Sequence, residues 1–509
     1  MKTRTVVRSS ALLLACLSLA ACSDDDHDAE ANSLSLSPCT DDPMLDCGVL
    51  DVPLIHDSTD TRRMKVDVLR LPGTGEGPHE TLMVNPGGPG ASGTAMVRQF
   101  ARRDALPAAL RERYDLVGFD PRGIGIGERI DCERFGLDDL DDYPLDESSL
   151  EGLIVDTGAV ADACSADYGD TLQWLGSNAV VADMDALREL LDAPTLNLIG
   201  YSYGTRLAAL YLQRYPDRSG RMVLDGSLPP GNEIVPLVIG QVEAQQRNLE
   251  RLLDACGLQV TPCDRDRIDE ALIARVQALI ENGDEALFEL FGTLVLEAVE
   301  RPLAAQPLAP VLVRFLLDGE PAPLIAAANA LGVTSEEGDE EGDEADEPDG
   351  PDGPDGGQPS VDLDEDNTTV RLAVICADDA SRPTRASLAA TGEELAARSD
   401  LFAAYGLAFA TRCTGWPAAL DPVADIATDA APVSLVIGGV NDAQTPIEWA
   451  APMAEAIGGR LLTSDHDGHT TVFNGKSACV DAAVTAWLLD GELPAGASCA
   501  RDTDVAEGS

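Results

Sequence analysis

Residues 195–205 read T-L-N-L-I-G-Y-S-Y-G-T, and the reading of the whole chain turns on them. Leu196, Leu198 and Ile199 form an apolar run of strand length, while Leu207, Ala208, Leu210, Tyr211 and Tyr215 recur at helical spacing. Between the two patterns lies Gly200-Tyr201-Ser202-Tyr203-Gly204, a G-x-S-x-G. A sharp turn from strand into helix forces its central residue into strained backbone geometry, and the flanking glycines let neighbouring backbone pass close by. The serine hydroxyl then stands at the C-terminal edge of a parallel sheet. Five residues alone are weak evidence. With 46 glycines in 509 residues, a chance match arises on the order of once in a few such chains.

The flanking sequence supplies the context. Strand-like runs precede the turn at 48–54, 64–71, 81–85 and 114–120, and follow it at 222–225, 432–438 and 460–463. Helical stripes alternate with the later ones, such as Val180, Met184, Leu187 and Leu191, and the last is Val480, Val484, Trp487 and Leu488. Strands alternating with helices predict a mostly parallel sheet of eight strands covered on both faces. From Pro229 to about Trp416 the rhythm becomes purely helical, with patterns over 242–253, 268–280, 287–299 and 311–317. This stretch reads as a helical cap inserted after the sixth strand. Within it, residues 336–366 hold 16 acids and no base, a composition that builds no core and predicts a disordered loop.

The chain carries 89 acidic against 35 basic residues, a net charge of -54. Only Lys2, Lys65 and Lys476 are lysines. No basic stripe offsets the acidic excess, which argues against nucleic acid as a partner. The first residues predict export. Lys2, Arg4 and Arg8 precede an apolar run from Ala11 to Leu19 that is too short to span a bilayer, and Leu19-Ala20-Ala21-Cys22 resembles a bacterial lipobox. Cleavage before Cys22 and its acylation are expected to hold the protein on a membrane, with an ordinary signal peptide and a secreted soluble chain as the alternative. Ten cysteines follow Cys22, and pairing in sequence order (39–47, 132–164, 256–263, 376–413, 479–499) closes the shortest loops. No zinc-type cysteine pattern occurs, and the Asp362, Asp364 and Asp366 run lacks the glycine and distal glutamate of a calcium loop. No metal or cofactor is expected.

The predicted organisation is a signal peptide at 1–21, an acidic tether at 22–43 and a first core segment at 44–229. A cap follows at 230–417 with its disordered loop at 335–368, then a second core segment at 418–499 and a tail at 500–509.

A serine hydroxyl needs a positioned base, usually a histidine oriented by a carboxylate. Only five histidines are present. His27 lies in the tether, His56 and His79 precede the third strand, and only His466 and His469 follow Ser202. Where a serine elbow of this kind is followed by acid and then histidine in chain order, the base belongs in the loop after the 460–463 strand. There His469, after Gly468, is the expected base and His466 a neighbour. The acid belongs just past the preceding strand, where Gly438-Gly439-Val440-Asn441-Asp442 offers Asp442. Its alternative is a turn aspartate that caps the helix starting near Pro446. Acyl transfer also needs donors aimed at the developing oxyanion. The backbone N–H of Tyr203 is one. The glycine-rich loop 85–93, N-P-G-G-P-G-A-S-G, supplies the other, with Gly88 preferred to Gly87. This loop lacks the Lys-Ser/Thr ending of a phosphate-binding P-loop.

Taken together, N-P-G-G-P-G at 85–90, D-P-R-G-I-G at 120–125, G-Y-S-Y-G-T at 200–205, L-D-G at 224–226, N-D-A-Q-T-P at 441–446 and D-G-H-T at 467–470 resemble the tripeptidyl-aminopeptidase-like branch of the α/β-hydrolases. These are exported relatives of proline iminopeptidase, and the resemblance runs over about residues 44–499. It implies a monomeric serine exopeptidase acting on short units at a free peptide N-terminus, with Ser202, Asp442 and His469 as triad and the 230–417 block as lid. Two departures stand out. Asn85-Pro86 replaces the histidine of proline iminopeptidases, which favours the tripeptidyl branch, and the long acidic loop is foreign to the family.

A lid that admits a chain end needs a buried carboxylate or carbonyl for the cationic amine; Asp378 or Asp379 would serve, and the alternative for both is a solvated loop acid. An ester hydrolase with the same triad is the alternative, and a non-catalytic binding lipoprotein is the weaker one. Dehalogenase or epoxide hydrolase chemistry would need a carboxylate at position 202.

Overall fold

A computed structural model describes residues 32–125, 128–132, 135, 147–254, 265–282, 284–331, 367–428 and 434–501. The expected signal peptide, the start of the tether with Cys22 (residues 22–31), the Cys256–Cys263 pair and the 336–366 acidic stretch lie outside the described residues.

Ten strands form one sheet: β1 (Ser33–Pro38), β2 (Asp46–Pro53), β3 (Arg63–Leu71), β4 (Glu80–Asn85), β5 (Tyr114–Phe119), β6 (Leu196–Tyr201), β7 (Ser219–Asp225), β8 (Leu435–Asn441), β9 (Arg460–Asp467) and β10 (Ser498–Cys499). Their order is β1-β2-β3-β5-β4-β6-β7-β8-β9-β10. The first three strands pair antiparallel, and every pairing from β5 to β10 is parallel. Two strands exceed the expected eight. β10 has only two residues, too few to show a period. β1 falls inside the stretch expected as a tether, where its acidic neighbours mask a Ser/Leu alternation. Leu34 and Leu36 pack on the core, and β1 pairs with β2 from Ser33↔Asp51 to Pro38↔Asp46.

The central strands read as continuous apolar runs because both faces are covered. In β4, Met83 joins one core while Leu82 and Val84 join the other; in β6, Leu198 and Ile199 divide the same way. Helices Ser177–Leu190 and Gly204–Arg214 cover the first face, and Gly93–Arg103 and Ala478–Asp490 the second. The chain passes from β4 to β5 on one side and then crosses to β6 on the other. Strand order therefore reverses at β4, the kind of switch point where open α/β sheets bind ligands.

Eight α-helices among the described residues lie between β7 and β8. Four of them, Ile234–Asp254, Arg265–Asn282, Glu285–Glu300 and Ala309–Asp318, enclose the helical patterns read from sequence. The insertion is tied to the ends of the core strands. Asn248 Nδ2 donates to Asn441 O at 2.8 Å, and Arg251 Nη1 donates to Asn441 Oδ1 at 2.6 Å. Leu303 N and Ala304 N donate to the Asp467 carboxylate, at 3.1 and 2.8 Å to Oδ2. Four disulfides, Cys39–Cys47, Cys132–Cys164, Cys376–Cys413 and Cys479–Cys499, follow the expected order.

The D-P-R-G-I-G stretch acts structurally. Arg122 is fully buried and donates to Asp183 through Nε (2.8 Å) and Nη2 (2.7 Å), and to Leu54 O at 2.7 Å. His56 Nε2 sits 2.7 Å from Asp183 Oδ1. Burial alone would raise the Asp183 pKa, but the Arg122 charge and the His56 and Arg122 hydrogen bonds outweigh it and hold it low. Removing one partner strands the other charge in the core. Asp183→Ala is therefore expected to cost about 3–5 kcal/mol in urea unfolding; a loss below about 1 kcal/mol would contradict this role.

Candidate active site

The elbow forms as the sequence predicts. β6 ends at Tyr201, Ser202 adopts a left-handed φ of 52°, and the next helix begins at Gly204. That backbone region is costly for serine, and close packing holds it. Ser202 N donates to Asp225 O at 2.9 Å, and Thr205 N donates to Ser202 O at 2.9 Å. A Cβ on Gly204 would fall 2.6 Å from Asn85 O, so only glycine lets the loop after β4 approach the elbow. The pairing of Asn85 with Gly200 sets this register.

Asp442 follows β8, and His469 follows β9; the two meet with His469 Nδ1 2.9 Å from Asp442 Oδ2. Asp442 is completely buried and its acceptor capacity is filled. Oδ1 takes Gln444 N at 2.9 Å and Thr445 N at 2.8 Å, and Oδ2 takes Thr445 Oγ1 at 2.7 Å. The aspartate thus orders its own turn and holds the histidine ring, but it does not cap the following helix, whose start after Pro446 has no side-chain cap. Bonding through Nδ1 turns Nε2 away from the acid, as a general base requires. Among the described residues no hydrogen bond joins Ser202 Oγ to His469, and such catalytic bonds often tighten only around substrate.

Gly88, Ser202 and Tyr203 line one cavity of about 490 Å³. Gly87 N is spent on Asn85 Oδ1 at 3.0 Å, which leaves Gly88 as the loop glycine facing that space. The insertion contributes Leu237, Leu296, Glu300 and Tyr405 to the same cavity.

Comparison with known proteins bears on this geometry. Residues 80–262 match the α/β hydrolase fold family, and residues 399–499 match a family described as TAP-like protein. Serine protease Hip1 of Mycobacterium tuberculosis is 30% identical over 485 residues, covering 89% of this chain and 87% of that protein. The chain belongs to the TAP-like α/β-hydrolases. Carboxylesterase B of the same organism is also 30% identical, over 88% of this chain and 85% of that protein. Tripeptidyl aminopeptidase of Streptomyces lividans is 31% identical over 195 residues, 37% of this chain and 36% of that protein.

In this TAP-like hydrolase the other described histidines are engaged elsewhere. His466 is buried against Thr471 Oγ1, and burial pushes its pKa down to about 4, so it stays neutral. His79 pairs with Asp115 at 3.1 Å, and His56 with Asp183. The two acids expected to receive a substrate amine hold the structure instead. Asp379 lies outside the cavity and accepts from Ile234 N at 3.0 Å and Ser381 N at 2.7 Å. Asp378 does line the cavity, but it accepts the Tyr203 hydroxyl and Ser177 N (2.7 Å), bracing the residue that follows Ser202.

Three residues escaped the sequence reading. Asp225 Oδ2 takes Thr471 N at 2.7 Å and Val472 N at 2.8 Å, and Lys476 Nζ donates to His469 O at 2.6 Å, so together they fix the histidine loop. Burial raises Asp225 to about 6. Glu300 is the third; burial, then the charge of Asp442, pushes it up to about 7. The L-D-G motif and the scarcity of lysine were signals for the first two. Glu300 carried none.

Burial by itself would lower the His469 pKa, but the charge and hydrogen bond of Asp442, with Glu300 and Asp225 nearby, raise it above its ordinary value. The base is neutral only above that pKa, so kcat/KM on a substrate lacking an amine should climb with pH on a limb above the usual imidazole range. Asp442→Asn is expected to lower kcat about 10⁴-fold and move that limb to lower pH. A fall of less than about tenfold would deny Asp442 the orienting role.

Proposed function

We propose that this hydrolase is a serine exopeptidase that removes a short unit from a free peptide N-terminus. Ser202 Oγ attacks the scissile carbonyl carbon while His469 Nε2 takes its proton. The tetrahedral oxyanion receives hydrogen bonds from the N–H groups of Gly88 and Tyr203. His469 then passes the proton to the leaving amine, which departs with the remainder of the peptide. Water, deprotonated by His469, cleaves the acyl-enzyme and restores the serine. Asp442 keeps Nδ1 protonated and offsets the imidazolium charge throughout.

Glu300 carries the exopeptidase part of this reading. Glu300 lines the Ser202 cavity, partly buried; Gln444 and the more distant His469 charge favour its ionised form, but among the described residues no arginine, lysine or histidine forms an ion pair with it. A carboxylate in that setting is suited to an incoming cation, and a peptide α-ammonium is one. Because the folded-state pKa is raised, ionising Glu300 costs stability as pH climbs from the ordinary carboxylate range to about 7. A bound ammonium offsets that cost. The helices over the cavity admit a chain end more readily than a folded loop.

The carboxylesterase relative, equally similar in sequence, supports ester hydrolysis by the same residues as a second reading. The proposal includes an exported chain anchored through acylated Cys22. Four disulfides suit an oxidising compartment, and among the described residues no helix is long and apolar enough to cross a membrane.

Paired peptides with free and acetylated N-termini test the reading. The free peptides should be cleaved with the higher kcat/KM, and Glu300→Gln should shrink that preference about tenfold or more. Equal cleavage of both peptides, or turnover of short acyl esters alone, would overturn it.

A further inference from the structure

A second cavity lies beside the first and plays no part in the chemistry. It measures about 220 Å³ and sits among the inserted helices. Leu296 and Tyr405 line it and also line the Ser202 cavity, so the two spaces share a wall of two side chains. Val276, Phe288, Phe291 and Leu401 make the new space mostly apolar, with Thr293 and Asp400 as its polar lining. An apolar cavity of about 150 Å³ holds a benzene molecule. This one has room for an aromatic or branched aliphatic side chain.

Gly292 supplies an independent observation. It stands inside the Glu285–Glu300 helix and lines the second cavity, and a Cβ built on it meets nothing within 4 Å. Glycine destabilises a helix interior relative to alanine, yet no neighbour here demands one. What the missing side chain does is keep the chamber open. Gly292, Leu296 and Glu300 are spaced four residues apart and so follow one face of the helix, about 6 Å per step. That face leads from the apolar chamber, past the shared wall, to the carboxylate in the catalytic cavity.

We infer that the chamber is a specificity subsite for a large apolar side chain of the N-terminal unit whose amine meets Glu300. The preferred substrates are peptides with leucine- or phenylalanine-sized residues at one position of that unit. This inference rests on the peptidase reading above.

The test uses free tripeptidyl-nitroanilides in which alanine, leucine and phenylalanine are placed at each of the three positions in turn. In the wild-type enzyme, leucine or phenylalanine at one position should raise kcat/KM about tenfold or more over alanine. Gly292→Phe, which fills the chamber, should bring that ratio close to one. Free indole supplies a measurement that needs no variant: it should inhibit cleavage of the phenylalanine substrate and spare the all-alanine one. No apolar preference at any position, a preference that survives in folded Gly292→Phe, or equal indole inhibition of both substrates would each overturn the inference while leaving peptidase activity in place. Cleavage of no peptide at all would remove the peptidase reading and this inference with it.

Discussion

The left-handed backbone of Ser202 is the constraint on which the site depends. A serine holds that conformation only where its surroundings over-determine it, and here the surroundings are the site itself. The Asp225 carbonyl takes its N–H from the neighbouring strand, and Asn85 presses against Gly204 from the other side. The contacts that fix Ser202 thus also tie the end of β7 and the start of the glycine-rich loop to it. Asp225 then reaches across with its side chain to the backbone of Thr471 and Val472, next to the base. One aspartate therefore sets the elbow with its carbonyl and the histidine loop with its carboxylate.

Electrostatics around the base follow from the same crowding. Asp225, Glu300 and Asp442 all act on one imidazole, and burial pulls their ionisation apart. Asp442 accepts from His469, Thr445 and Gln444, and these hydrogen bonds with the His469 charge hold it ionised against the cost of burial. Asp225 has two backbone donors on one oxygen and none on the other, while Glu300 forms no ion pair among the described residues and is favoured in its ionised form only by the His469 charge and Gln444. The best-satisfied carboxylate holds the His469 ring, and Glu300 lines the cavity.

Much of this was legible in the sequence because the chemistry is local and the candidates are few. Five histidines reduce to His466 and His469 by chain order, His469 after Gly468 lies farther past the strand end, and Asp442 and Gly88 sit at the ends of recognisable strands. Short loops made four disulfides readable. Glu300 was not readable, because it meets the site only through the folded position of the Glu285–Glu300 helix, just past which Leu303 N and Ala304 N donate to Asp467. Asp379 misled for the converse reason: its carboxylate caps the Ile234–Asp254 helix, a partner 145 residues away in sequence. The Thr368–Asp378 helix was also missed, since Thr369, Val370, Val374 and Ile375 give it a strand-like composition.

The central claim is that Ser202 is a nucleophile made reactive by His469. Peptide mass mapping after treatment with a phosphonate diester carrying a free amine tests it most directly. One adduct is expected, on Ser202, formed by the wild-type protein and almost lost in folded His469→Ala. An unlabelled Ser202 in folded wild-type protein, or labelling at the same rate without His469, would contradict it.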